Sequence, residues 1–109
     1  MSNILVIGDA MLDINYIAKS EKIANEYPIP VHLIQKINFC LGGASNLAYN
    51  LSKIVSNINF IYVGNNDNSG ENLKSLLISN NINFKYILDR TRPTTTKNRI
   101  FIDKDIKEY

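Results

Sequence analysis

Two carboxylates four positions apart, Asp9 and Asp13, lie in the stretch GDAMLD directly after the short apolar run NILVI (3–7). A carboxylate placed there can accept hydrogen bonds from two hydroxyls of a polyol, or it can simply cap a turn, the plainer account for Asp9. A second group is GGASN, from Gly42 to Asn46. Adjacent glycines permit unusual φ values and let another group approach the main chain closely. The free N–H groups of a helix start can receive an oxygen-rich ligand, and the Asn46 amide both donates and accepts. Tight packing of a turn, with Asn46 as an ordinary cap, explains the same residues. The third group is RTRPTTTKNR, in which Arg90, Arg92, Lys97 and Arg99 surround a run of threonines. Cations and hydroxyls suit phosphate, whereas a solvated loop leading into an edge strand guarded by basic residues has a similar composition.

Other chemistries find little support. A single histidine, His32, and a single cysteine, Cys40, leave no Ser-His-Asp or Cys-His arrangement, no intramolecular disulfide and no basis for a metal cluster. His32 lies between Val31 and Leu33 and is expected to face solvent, and Cys40 is expected to act as a small buried hydrophobe. Gly8 stands without the further glycines of a dinucleotide fingerprint, and GGASN lacks the Lys and Ser/Thr of a P-loop. The formal net charge of +2 is too slight to suggest nucleic acid as the main partner. No apolar segment approaches a membrane span, so no membrane partner is expected, and a reducing, cytoplasmic compartment fits the cysteine usage.

These groups must be carried by one small domain, since 109 residues can bury a single modest core. NILVI, NINFIYVG (57–64) and NFKYIL (83–88) read as strands, the first two buried in a parallel sheet. Leu47, Ala48, Leu51, Ile54 and Val55 follow helical spacing, with Ser45 or Asn46 as the cap. Leu73, Leu76 and Leu77 do the same in a helix from about 70 to 79, capped by Asp67 or Ser69 and stopped by Asn80 and Asn81. Pro28 and Pro30 favour extended backbone, so Ile29–Gln35 reads as an edge or flap strand, and 98–102 as another strand before a turn and a returning arm. The order implies an α/β layered sheet with right-handed crossovers. The final residue, Tyr109, falls within that returning arm, as expected of a fragment or of a strand that pairs with something else.

Four stretches, ILVIGDAMLD, KIANEYPIPV, GGASNLAYNL and TTTKNRIF, resemble in order and spacing the N-terminal part of the ribokinase-like (PfkB) carbohydrate kinases. EYPIPV and TTTKNR are most similar to the branch acting on D-glycero-β-D-manno-heptose 7-phosphate in ADP-heptose synthesis. The resemblance implies the first portion of a three-layer α/β sandwich with a small β flap, over 1–109. It implies that Asp13, Gly42, Gly43 and Asn46 bind sugar, with Lys97 and Arg99 near the sugar or its phosphate. The flap strands, about 28–37 and 97–109, close over the sugar in such kinases and often form a dimer contact. Asp67 and Gly70 match the family's D-x-x-G, taken as a structural helix start. The chain departs from the heptose pattern at Ile14-Asn15-Tyr16, Ala24-Asn25 and Asn65-Asn66. Nothing matches the later G-A-G-D segment that supplies the catalytic base and precedes the ATP-binding residues. ATP and Mg²⁺ are therefore expected of the complete enzyme, and this chain by itself is expected to hold at best the acceptor half. The alternative is a non-catalytic sugar-binding or relic module.

Overall fold

The computed structural model describes residues 3–23 and 28–102. Its elements are β1 (Asn3–Ile7), β2 (Ala10–Ile23), β3 (Pro30–Gly43), α1 (Ala44–Ser52), β4 (Asn57–Gly64), α2 (Asn68–Ser79), β5 (Asn83–Leu88) and β6 (Thr96–Ile102). The chain divides into two compact units, Met1–Asp13 with Phe39–Lys97, and Ile14–Asn38 with Asn98–Tyr109.

The first unit is built on a parallel sheet of order β1-β4-β5. Its register sets Val6 beside Phe60 and Phe60 beside Phe84, so one face carries a continuous apolar surface. Phe60 and Tyr62 stack at 5.0 Å between ring centroids and Tyr62 and Tyr86 at 5.8 Å. Both helices pack on that face, α1 through Ala48 and α2 through Leu73 and Leu77, four apart and therefore on one helical stripe. The opposite face, with Leu5, Ile7, Val63 and Ile87, is exposed. The expectation that β1 and β4 are buried strands thus holds for alternate residues only.

α2 begins where expected, with Asp67 as its cap accepting from the Gly70 amide at 2.8 Å, and Glu71 in the first turn. It stops at Asn80, after which Asn81 adopts φ 58°. α1 departs from expectation. Its cap is Gly43, at φ 57° and ψ −137°, with no side-chain capping bond, because Ser45 and Asn46 already lie inside the helix. Cys40 is exposed, not buried as expected: on β3 it precedes the buried Leu41, and alternation along the strand turns its side chain away from the core.

The second sheet has the order β3-β2-β6. Fourteen-residue β2 was not foreseen as a strand, β3 runs on beyond the expected flap segment as far as Gly43, and β6 begins two residues before the expected strand at 98–102. Within the second unit Ile14, Ile17 and Ala18 are buried. The Tyr16 hydroxyl donates to Asn98 Oδ1 at 3.3 Å, and Ser20 Oγ lies 3.0 Å from Nδ1 of the exposed His32. The expected returning arm, residues 103–109, and the Ala24-Asn25 departure lie outside the described residues.

Candidate functional site

The paired glycines sit where β3 gives way to α1, and each is required by the chain's own atoms. A Cβ on Gly42 would land on Asp13 Oδ1 and come within 2.9 Å of its Cγ. Gly42 is therefore the surface against which the half-buried Asp13 carboxylate rests. Gly43 has positive φ, and a Cβ there would stand 2.7 Å from the Asp9 carbonyl and 3.0 Å from Met11 Cγ. Gly8 likewise leaves room for Ala44, whose Cβ would be 2.8 Å from one on Gly8.

Hydrogen bonds lock this turn. The Ala44 amide, the first of α1, donates to the Asp9 carbonyl at 2.8 Å. Ser45, fully buried, donates a very short bond to the Gly42 carbonyl, and its hydroxyl also lies 3.3 Å from the Met11 carbonyl. Asp9 thus serves through its main chain, in line with a turn role. Ser45 was missed as a positioning residue because its obvious part, capping, belongs to the residue before the helix. The Asp13 carboxylate thus rests on a buried glycine peptide. Asn46, exposed in the first turn of α1 three residues beyond Gly43, lines a different place, a cleft of about 330 Å³ shared with Cys40, Leu41, Tyr49 and Leu76 that Asp13 does not line.

A second cavity, about 160 Å³, opens at the carboxyl ends of β1, β4 and β5, where open α/β sheets place ligands. Asp9, Met11, Gly64, Asp89, Arg92 and Thr95 line it. The Thr91 hydroxyl and amide, with a smaller contribution from the Arg92 guanidinium, hold the Asp89 carboxyl below the usual range against a slight opposing effect of burial. The loop between β5 and β6 is anchored: Asn65 donates to the Arg92 carbonyl at 2.8 Å, and Asp67 accepts from the Thr94 amide at 2.9 Å. Arg90 and Arg92 are exposed on it. Lys97 and Arg99, both exposed, are two residues apart on β6 and so share one of its faces, Lys97 ending the first unit and Arg99 belonging to the second.

The pfkB family carbohydrate kinase model matches residues 1–109. The bifunctional protein HldE of Helicobacter pylori strain P12 is 38% identical over 117 residues, covering 99% of this chain and 25% of that protein. Among solved structures, a carbohydrate kinase from Agrobacterium tumefaciens superposes with a TM-score of 0.67 at 21% identity, over 94% of this chain and 32% of that one. Phosphofructokinase-2 from Escherichia coli in complex with fructose-6-phosphate gives a TM-score of 0.69 at 19% identity, again over 94% and 32%. The chain therefore spans about a quarter of the length of the curated relatives it matches and about a third of the structures.

Proposed function

The chain belongs to the pfkB family of carbohydrate kinases, and from that premise we propose that it forms the sugar-acceptor portion of a heptose-phosphate kinase. The carrying observation is the seat of the Asp13 carboxylate against the Gly42 peptide, beside a helix start whose first turn bears Asn46. A carboxylate accepts from two sugar hydroxyls and the Asn46 amide both donates and accepts, while the absence of a side chain on Gly42 lets the Asp13 carboxylate sit against the main chain. Lys97 and Arg99 are the cations we assign to the sugar's phosphate, for which an ammonium and a guanidinium are suitable donors.

Kinases of this family use ATP. We assign no nucleotide ligand and no phosphoryl-transfer step to the described residues. Transfer requires nucleotide, Mg²⁺ and acceptor to be positioned together. The proposed behaviour of the 109-residue chain by itself is sugar binding without ATP turnover.

Titration calorimetry with D-glycero-β-D-manno-heptose 7-phosphate and fructose 6-phosphate tests this. The expected result is saturable binding of the heptose phosphate, reduced about tenfold or more by Asp13→Asn, equivalent to one lost charge-assisted hydrogen bond. Absence of binding to either sugar phosphate by the folded chain, or binding indifferent to Asp13→Asn, overturns the reading.

A further inference from the structure

Asp67 joins segments that are distant in sequence and adjacent in space. Its half-buried carboxylate stands where β4 leads into α2 and meets three donors, the Gly70 amide at 2.8 Å, the Thr94 amide at 2.9 Å and the Thr94 hydroxyl. Gly70 permits this closeness. A Cβ there would strike the Asn65 carbonyl and stand 2.9 Å from both Asp67 Oδ1 and Thr94 Oγ1.

The consequence lies one residue further on. The Thr95 carbonyl accepts from the Leu12 amide at 3.0 Å, which ties the loop before β6 to β2. Leu12 is fully buried, so its amide depends on that carbonyl and has no water to turn to. Met11 and Thr95 also line one small cavity, so the two segments adjoin beyond this single bond. The residue after Leu12 is Asp13, whose carboxylate rests on Gly42. With the Leu12 side chain locked in the interior and its amide held, the Asp13 main chain has little freedom left. All of these residues belong to the first unit.

We propose that Asp67 is a positioning residue of the sugar-acceptor site: by holding Thr94 it sets the Thr95 carbonyl against the Leu12 amide, and so fixes the strand segment that presents the Asp13 carboxylate. Asp67 acts through these neighbours and not on the sugar. The effect on affinity rests on the sugar reading, whereas the link from Asp67 to Leu12 rests on hydrogen bonds alone.

Asp67→Asn provides the test, with two readouts. Asparagine caps a helix as well as aspartate does, but it offers one oxygen in place of two and cannot serve both the Gly70 and the Thr94 amides. Amide hydrogen exchange at Leu12, taken relative to Phe60 in the central strand β4, is expected to quicken about fivefold or more, the factor of one ordinary hydrogen bond. Division by the Phe60 rate removes any general loss of stability. Affinity for D-glycero-β-D-manno-heptose 7-phosphate is expected to fall by about the same factor. Thr94→Ser, which retains both donors, should leave both readouts at their natural values. If Asp67→Asn does not fold, Thr94→Val, lacking only the hydroxyl, decides by the same comparison with a smaller change expected. Unchanged relative exchange at Leu12 overturns the proposal, and so does quickened exchange with undiminished sugar affinity. A natural chain that binds no sugar phosphate counts instead against the acceptor reading, and Leu12 exchange still reports whether Asp67 holds the strand.

Discussion

Thr94 is held to Asp67 by two of its own donors, the amide reaching Oδ2 at 2.9 Å and the hydroxyl Oδ1 at 2.5 Å, across 27 residues of sequence. The same carboxylate caps α2. One side chain therefore fixes a helix start and anchors the loop that leads into β6.

Asp67→Ala removes the cap and both bonds to Thr94, and is expected to lower stability by about 2 kcal/mol, the size of a cap plus a charge-assisted bond. Urea unfolding measures this, and Thr94→Val, which removes only the hydroxyl donor, should show a smaller loss. A change within error would show that the loop is anchored elsewhere.

The Asp67 carboxyl also predicts acid sensitivity. Burial alone would raise it, but the hydroxyl and amide of Thr94 and the amide of Gly70 outweigh burial and hold it below the ordinary carboxylate range. A lowered folded-state value stabilises above the unfolded value, about pH 4, and that contribution disappears as pH falls through the folded one. Melting temperatures from pH 6 down to pH 2.5 should therefore drop more steeply for the natural chain than for Asp67→Asn.

Gly42→Ala forces a methyl group onto the Asp13 carboxylate and is expected to cost about 1–3 kcal/mol, as overpacking does. Combining it with Asp13→Ala should restore much of the stability. An additive double variant would mean that the two residues do not share this space.

Ser45→Ala leaves the Gly42 carbonyl without its buried partner, and a loss of about 1–2 kcal/mol is expected. Ser45→Thr retains the hydroxyl, so partial recovery separates the hydrogen bond from simple packing at this site.

The buried Tyr62 phenol is pushed well above its ordinary value, first by burial and then by Tyr86 and Glu71. A raised folded-state value stabilises fully below the unfolded value near pH 10 and is progressively lost above it. Chemical unfolding between pH 9 and 11.5 should show a decline that Tyr62→Phe reduces.

Much of the first unit was legible in the sequence because local signals agreed with the fold. NFKYIL is β5 from its first residue to its last, and Asp67, Leu73, Leu77 and Asn81 each perform the part their types suggest. β2 was hidden because its burial changes phase: Ala10, Leu12 and Ile14 alternate, but Ile17 and Ala18 follow at spacings that also suit a helix. The apolar run of β1 announces a strand covered on both sides, whereas one side is bare. At the site, the glycine pair and Asp13 were visible as residue types. That a carboxylate rests on Gly42, and that Gly43 replaces a side-chain cap, depends on contacts between segments some thirty residues apart, which no local pattern encodes.

The hydrogen bond from the Ala44 amide to the Asp9 carbonyl means that residues 10–43 depart from and return to nearly the same point. Lengthening or trimming that excursion changes its closure entropy only logarithmically and leaves its two anchors in place. Insertions or deletions within this excursion can therefore be absorbed without altering the start of α1.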